Sequence, residues 1–256
     1  MPPRLYIDRP LHSGSDLLLP PGAARHVQVL RLQPGAPLTL FDGAGGEWPA
    51  RVTHMGRSDV TVQVGAHVEV NRELAVQVTV ALGMPANERM DGVVEKATEL
   101  GVAAIQPLMC ERSVLRLQGD RATKKVAHWQ GVAQAACEQS GRTRVPRIEP
   151  VRTLAEWLAG LPASAGAQAA GGGARFVLSL REAQPLAASL DAASACGSLI
   201  CLSGPEGGLA EAEEALARQA GFVPLSLGPR VLRADTAPLT LLAHLSLRES
   251  ITVRTA

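Results

Sequence analysis

The chain of 256 residues is poor in cysteine, with only Cys110, Cys137, Cys196 and Cys201. They form no CxxC pair and have no histidine partners at metal-ligand spacing, so we predict no metal site and expect reduced, mostly buried thiols. No apolar run reaches the roughly 20 residues of a membrane-spanning helix, and the first residues lack the layout of a secretory signal. These absences predict a cytoplasmic protein without a membrane partner.

Three common fingerprints of nucleotide and hydrolase chemistry are also missing. No GxGxxG follows a strand pattern, no GxxxxGK(S/T) is present, and Ser203 lacks the GxSxG surroundings of a nucleophilic serine. The first absence disfavours a dinucleotide-dependent oxidoreductase, the second an ATPase and the third a serine hydrolase. Aromatic residues are few as well, with three Phe, three Trp and one Tyr, so base stacking cannot be the main grip on a nucleic acid.

Charge is distributed unevenly along the chain. The formal net charge is +1, but the segment from Arg112 to Arg152 holds nine basic residues against three acidic ones. Arginine outnumbers lysine, and its planar guanidinium suits phosphate groups and base edges. Taken alone, the pattern is equally compatible with a solvated basic face and with a nucleic-acid surface.

Hydrophobic periodicity divides the chain into two regions. Residues 1–72 contain short alternating strands and predict a small β-barrel or sandwich. In residues 73–256, short apolar runs alternate with helical patterns, which predicts an α/β domain with a largely parallel sheet. The predicted strands are Leu38–Phe41, Ala50–His54 and Val60–Val64 in the first region, and Val76–Leu82, Ala104–Met109, Phe176–Leu180, Ser198–Ser203 and Phe222–Leu227 in the second.

Four helices are predicted in the second region. Apolar residues recur at helical spacing from Met90 to Leu100, before a glycine that can cap the helix, and again from Val126 to Ala136. A third helix is expected over Glu206–Ala220. The last, Pro238–Leu247, is leucine-rich on nearly every side, so we expect it to be buried in the core or against another subunit. The Ala/Gly-rich stretch 163–174 is predicted to be a flexible surface loop.

Two strand-to-helix segments combine glycine and proline at the end of an apolar run. The first is Leu199–Leu209 (LICLSGPEGGL) and the second is Leu225–Ala237 (LSLGPRVLRADTA). Glycine lets a ligand approach the backbone where side chains would clash, and ligands of open α/β sheets bind at the carboxyl ends of strands. We therefore expect the two segments to enclose one small ligand.

Several sequence blocks occur in a specific order along the chain. HVQVLR at 26–31, EKATELGV at 95–102 and ACEQSGR at 136–142 precede GPEGG at 204–208 and LGPRVLR at 227–233. In this order the blocks strongly resemble the SPOUT-class 16S rRNA (uracil-N3) methyltransferases, the RsmE family. The resemblance implies an N-terminal PUA-like β-barrel that binds RNA, a SPOUT α/β domain with a C-terminal trefoil knot, and a homodimer.

The resemblance also implies a cofactor and a reaction. The cofactor is S-adenosylmethionine, and the reaction is methylation of N3 of one uridine of 16S rRNA in the small ribosomal subunit, uridine 1498 in customary rRNA numbering. The cofactor is expected to be bound mainly by the backbone of three loops. The loop residues are Leu178, Ser179, Leu180, Leu202, Ser203, Gly204, Pro205, Glu206, Gly207, Gly208, Leu227, Gly228, Arg230, Val231, Leu232 and Arg233.

Uridine N3 carries a proton at neutral pH, so positive charge near the uracil oxygens would favour its loss. The predicted catalytic residues are Arg142 and Arg233 beside the base, with Glu138 and Asp235 as candidate proton acceptors. Asp235 and Pro238 stand where the family usually has a glutamate and a small residue. The predicted RNA-binding residues are Arg4, Arg25, His26, Arg31, Arg112 and Arg144.

Two alternatives stay open at this point. One is a SPOUT methyltransferase that acts on another RNA, for example on transfer RNA or on a ribose hydroxyl. The other is a noncatalytic RNA-binding assembly factor that has kept the fold. The order of the blocks favours the uracil-N3 family, and the intact glycine loops argue against loss of the ligand.

Overall fold

The computed structural model describes residues 2–162, 173–186, 189 and 197–248. Cys196 and the predicted loop 163–174 lie outside the described residues, except for residues 173 and 174. The chain forms two compact units. The first comprises Met1–Glu73 and Gln134–Val145, and the second comprises Leu74–Ala133 and the described part of Pro146–Ala256. The first unit thus takes in a later segment, which hydrophobic periodicity did not assign to it.

The first unit is built on a sheet of five described strands in the order β1-β3-β4-β5-β2. β1 and β3 are parallel, and the other neighbours are antiparallel. The predicted alternation is confirmed in β5, whose Val60, Val62 and Val64 are buried while the residues between them are more exposed. The elements are β1 (Arg4–Tyr6), β2 (Asp16–Leu18), α1 (Pro21–Val29), β3 (Pro37–Phe41), β4 (Trp48–Met55) and β5 (Val60–Val64).

The second unit is a mixed α/β structure around a parallel sheet. Its described strands follow the order β11-β13-β10-β12-β6-β7-β8, and β9 also pairs with β7. All of these pairs are parallel, as predicted. The strands are β6 (Gln77–Gly83), β7 (Ala104–Met109), β8 (Arg147–Ile148), β9 (Arg152–Thr153), β10 (Ala174–Leu178), β11 (Gln184–Pro185), β12 (Ser198–Ser203) and β13 (Val223–Ser226).

The helices largely follow the predicted periodicity. The first ends at Glu99, and Gly101 takes the positive φ of 93° that glycine adopts without strain. The second begins at Gly119, seven residues before Val126, where the predicted helical spacing begins. The described helices of this region are α2 (Asn87–Glu99), α3 (Gly119–Ser140, whose last residues belong to the first unit), α4 (Leu154–Ala159), α5 (Glu211–Gln219) and α6 (Thr236–Arg248).

Two predicted helices differ from the structure. α5 begins at Glu211 rather than Glu206, because Gly208 has a φ of 70° and the N–H of Ala210 donates to the Glu213 carboxylate, which starts the helix there. α6 buries one face only, through Pro238, Leu241, Leu242 and Leu245. Its Leu247 is 84% exposed, so within the described chain the helix is not covered on every side.

Candidate functional site

A cavity of about 640 Å³ opens in the second unit at the carboxyl ends of three neighbouring strands, β10, β12 and β13. This volume is typical of small-molecule sites, and the position at strand ends is where open α/β sheets bind ligands. Residues from the segments after these three strands form its wall, together with Arg89 of α2, Arg112 after β7 and Glu214 of α5. They are Arg89, Arg112, Leu178, Ser179, Leu180, Arg181, Ser203, Gly204, Pro205, Glu206, Gly207, Gly208, Leu209, Glu214, Leu225, Leu227, Arg230, Val231, Leu232, Arg233, Ala234 and Ala237.

The three predicted loops therefore meet at one place. Every predicted cofactor residue lines the cavity except Leu202 and Gly228. Leu202 is fully buried inside β12, where it pairs with Val177 of β10 and Ala81 of β6. Gly228 lies in the turn after β13 with a φ of 111°. The cavity also includes Arg112, which the sequence assigned to phosphate contacts.

The glycine-proline loop after β12 is packed too tightly for larger residues. A Cβ atom on Gly204 would lie 2.8 Å from the backbone nitrogen of Leu209. A Cβ atom on Gly83, the last residue of β6, would lie 2.6 Å from the backbone nitrogen of Pro205. Because real Cβ atoms do not approach backbone so closely, both glycines are required for the loop to turn at this point.

Two side chains fix the same loop from the outside. The Glu206 carboxylate accepts the backbone N–H of Ala86 at 3.1 Å and faces the guanidinium of Arg89 at 3.6 Å. On the other side, Nη1 of Arg112 donates to the carbonyl of Gly207 at 3.0 Å. The loop is thus held in place through its carbonyl and carboxylate groups.

The loop after β10 is organised around Ser179. Its hydroxyl donates to Glu214 at 2.8 Å and accepts the backbone N–H of Arg181 at 3.0 Å. Arg218 donates to the carbonyl of Arg181 at 3.1 Å, and Glu182 adopts a positive φ of 47°. A non-glycine residue in this conformation indicates a loop whose shape is imposed by its surroundings.

The loop after β13 leads into α6. The carbonyl of Arg233 accepts the backbone N–H groups of Thr236 and Ala237, each at 3.0 Å, so the residue starts the helix. The side chains of Arg230 and Arg233 are exposed, and neither has an ion-pair partner among the described residues. Asp235 does not line the cavity. Its Oδ1 accepts the hydroxyl of Thr236 at 3.3 Å, so nothing places this carboxylate beside a substrate there.

Positive charge dominates the cavity wall. Five arginines line it, against the two carboxylates Glu206 and Glu214. Arg89 pairs with Glu206 at 3.6 Å, and Arg181 pairs with Glu211 at 3.3 Å. The exposed Arg230 and Arg233 have no acidic partner among the described residues and can therefore face a ligand. Such a wall suits an anionic ligand or a polyanionic substrate.

Arg142, predicted to touch the substrate base, belongs to the first unit and is only 4% exposed. Its guanidinium forms an ion pair with Glu73, to which Nε also donates at 3.1 Å. The segment around it is held by the same unit, since Arg72 donates to the carbonyl of Gly141 at 2.8 Å. In the described chain Arg142 is thus engaged in the packing of the first unit, and its predicted contact with the substrate base stays a prediction.

Arg4, predicted to bind RNA, is also buried. Its guanidinium pairs with Glu47, donates to the carbonyl of Arg142 at 3.2 Å and lies 5.1 Å from the centre of the Phe41 ring. Nη1 and Nη2 donate inside the unit and Nε is buried without a partner among the described residues, so the RNA contact predicted for Arg4 stays a prediction. By contrast, Arg25, His26, Arg31 and Arg144 are exposed.

Glu138, a candidate proton acceptor, lies in the first unit as well. Its carboxylate accepts the backbone N–H of Tyr6 at 2.8 Å and lies 3.8 Å from Nδ1 of His26. Burial raises the pKa of Glu138 above its ordinary value, and the Tyr6 bond offsets only part of this effect. Its position beside β1 suggests that it anchors the end of α3.

Models of two families match the chain in separate regions. An RNA methyltransferase domain matches residues 72–246, and an RNA methyltransferase PUA domain matches residues 19–65. The first match covers the sheet and the cavity, and the second covers most of the N-terminal strands.

Curated relatives agree with these models. The ribosomal RNA small subunit methyltransferase E of Bacillus subtilis is 34% identical over 86% of this chain and 85% of its own length. The enzyme of the same name from Synechocystis sp. is 32% identical, over 86% of this chain and 68% of its own. The chain belongs to the ribosomal RNA small subunit methyltransferase E family.

Solved structures of related proteins show the same fold. The ribosomal RNA small subunit methyltransferase E of Neisseria gonorrhoeae, bound to S-adenosyl methionine, has a TM-score of 0.87 and 35% identity, and the match covers 96% of this chain and 97% of that one. A methyltransferase of Legionella pneumophila in complex with the cofactor SAM has a TM-score of 0.85 and 31% identity, covering 96% and 98%. Membership of the methyltransferase E family therefore extends over nearly the whole chain.

The sequence analysis missed several residues that line the cavity. Four of them lie close to the predicted loops in sequence, so the loops were predicted too short. They are Leu209, Leu225, Ala234 and Ala237. Glu214 was missed for a different reason, because a glutamate in the first turn of a helix is usually a surface charge. Among the described residues, no cluster of metal-ligating side chains occurs and no helix is long and apolar enough to cross a membrane.

Proposed function

We propose that the chain transfers the methyl group of S-adenosylmethionine to N3 of uridine 1498 of 16S rRNA in the small ribosomal subunit, in the cytoplasm. The observation that supports it best is the cavity formed by the loops after β10, β12 and β13. The family supplies the reaction class, and related proteins have been solved with the same cofactor.

The cavity residues fit S-adenosylmethionine. Gly204, Gly207 and Gly208 line the cavity without side chains, so a ligand there meets backbone groups. The side chains of Leu178, Leu180 and Leu227 line the cavity and can contact an adenine ring. When bound, the cofactor supplies an electrophilic methyl group on a sulfonium centre.

We assign the exposed arginines of the cavity the role of stabilising negative charge on the substrate base. Uridine N3 must lose its proton before or during attack, and the resulting negative charge spreads to the uracil oxygens. The exposed guanidinium groups of Arg230 and Arg233 have no ion-pair partner among the described residues and can stabilise that charge, which lowers the barrier. The rest of the catalysis comes from holding the two reactants close together.

We propose that the PUA-like unit contacts the rRNA backbone through its exposed basic residues. Arg25, His26 and Arg31 lie on and just after α1, and Arg144 lies in the later segment of the same unit. Contacts of this type set the register and the affinity, while the base itself is recognised elsewhere. Arg31 follows the end of α1 and has a positive φ of 54°, an uncommon backbone conformation for a residue with a side chain.

A homodimer and a trefoil knot complete the proposal. We infer both from membership of the methyltransferase E family, and Leu247 of α6, which is 84% exposed, is available for a subunit contact.

The test is a methyl-transfer assay with labelled S-adenosylmethionine on small ribosomal subunits that lack the modification. We expect a single N3-methyluridine in the digested rRNA, identified by mass spectrometry. A methyl group on another nucleotide or another RNA would replace the proposed substrate, and an absence of both cofactor binding and methylation would favour a noncatalytic assembly factor.

A glycine substitution ties the activity to the cavity. A Cβ atom on Gly207 would lie 3.0 Å from Cβ of Arg112, so Gly207→Val pushes the loop against that side chain. We expect Gly207→Val to abolish cofactor binding in calorimetry while the circular dichroism spectrum is unchanged. Gly92→Val is the matched control, because the exposed Gly92 of α2 has open space around its Cβ position.

A further inference from the structure

One carboxylate of the cavity wall is held in a defined position by its neighbours. Glu214 lies in the first turn of α5, and its side chain is 13% exposed. Its Oε1 accepts the hydroxyl of Ser179 at 2.8 Å and Nη2 of Arg218 at 3.1 Å. Ser179 and Arg218 are in turn bonded to the backbone of Arg181, so the carboxylate and the loop after β10 fix each other.

The second oxygen of this carboxylate is available. Both bonds go to Oε1, and within the described part of the chain Oε2 has no hydrogen-bond partner. Oε2 is not among the fully buried side-chain atoms that lack a partner, so it is not sealed off from solvent. Because Glu214 borders the cavity, Oε2 can accept a hydrogen bond from water or approach a cationic group of a bound ligand.

The charge of the ligand decides what kind of group this is. A methyl donor with a sulfonium, an ammonium and a carboxylate carries a net positive charge, yet the cavity wall holds five arginines. The arginines can hold the donor carboxylate but repel its cationic part. Of the two acids in the wall, Glu206 is the more exposed, at 30%, and faces Arg89. Glu214 also has an arginine partner, Arg218, but it is the less exposed acid and uses only Oε1 for that pair, which leaves Oε2 to balance a positive ligand.

We propose that Glu214 is a specificity-determining residue for the methyl donor, with Oε2 directed at the sulfonium centre. This inference rests on the proposed function, because it assumes S-adenosylmethionine in the cavity. A carboxylate at this place attracts the charged donor more strongly than the product S-adenosylhomocysteine, in which the sulfur is neutral. Glu214 consequently favours release of the product after each transfer.

Calorimetric titration of the purified full-length protein with each of the two compounds tests the inference. We expect Glu214→Gln to weaken S-adenosylmethionine binding by on the order of tenfold, as loss of a charged contact does. Binding of S-adenosylhomocysteine should change by less than about threefold, since the amide still accepts the Ser179 hydroxyl. The ratio of the two affinities falls accordingly.

Asp120→Asn is the matched control, because Asp120 lies in the first turn of α3, is exposed and does not line the cavity. It should leave both affinities unchanged. An equal loss for both compounds in Glu214→Gln would overturn the inference, since the carboxylate would then hold a part common to both or only shape the loop. No change in either would overturn it as well. If the unsubstituted protein bound neither compound, the proposed function itself would fail.

Discussion

The ion pair between Arg142 and Glu73 makes a strong prediction about stability. Arg142 is 4% exposed and the Glu73 side chain 15%, so replacing one partner leaves the other charge in a nearly water-free place. Breaking a buried pair in this way typically costs about 3–5 kcal/mol, and the partial exposure of Glu73 favours the lower end. We therefore expect Arg142→Ala to lower the free energy of unfolding by roughly 3 kcal/mol.

Differential scanning calorimetry measures this effect directly. For a unit of this size, a loss of that magnitude lowers the melting temperature of the affected transition by on the order of 10 °C. Glu73→Gln should destabilise the protein similarly. The double substitution Arg142→Met with Glu73→Leu should cost less than the sum of the two single losses, because no charge is then left unpaired.

Arg144→Ala is the comparison that separates structure from RNA contact. Arg144 is two residues further along and exposed, so its loss should change stability by no more than about 0.5 kcal/mol while weakening RNA binding. The reasoning would be refuted by an Arg142→Ala protein with unchanged melting and normal cofactor binding that no longer methylates rRNA. That outcome would return Arg142 to the substrate base.

Two further substitutions test the packing described above. Gly83→Ala should displace the loop after β12, because its Cβ atom would lie 2.6 Å from the nitrogen of Pro205; we expect a large loss of cofactor affinity in calorimetry. For Glu138, a raised pKa means that the folded state prefers the protonated form, so its contribution to stability is present at low pH and lost as pH rises. Glu138→Gln, which still accepts the N–H of Tyr6, should therefore be as stable as the parent or more so at pH 7 in urea denaturation, and should show no gain at pH 4.

Local pattern was sufficient for most of the fold. Ala104–Met109 and Ser198–Ser203 were predicted with both ends correct, because a buried parallel strand is a short apolar run bounded by turn residues. β10 was placed two residues late, since Leu180 continues the apolar run although it belongs to the loop. α5 was started five residues early for the converse reason. Its start depends on the φ of Gly208 and a bond from Ala210 to Glu213, which periodicity does not report.

The candidate site was predictable where its residues are contiguous. Glycine and proline at the ends of two strands marked the loops after β12 and β13, and the family resemblance added the loop after β10. Glu214 could not be predicted from the sequence, because its position depends on Ser179, 35 residues away, and on a cavity that only the folded sheet creates. A family resemblance therefore predicts the loops of a site better than it predicts single polar contacts.

The basic segment from Arg112 to Arg152 shows why charge in sequence is a poor guide to a surface. Its arginines belong to two different units. Arg112 supports the loop of the cavity, Arg142 is buried against Glu73, and Arg144 is exposed in the first unit. The guanidinium groups of Arg112 and Arg142 each have a partner distant in sequence, the carbonyl of Gly207 and the carboxylate of Glu73, and a buried cation such as Arg142 must be paired. The local excess of positive charge is therefore partly cancelled by carboxylates such as Glu73, 69 residues before its partner, and the RNA-facing charge is smaller than the segment alone predicts.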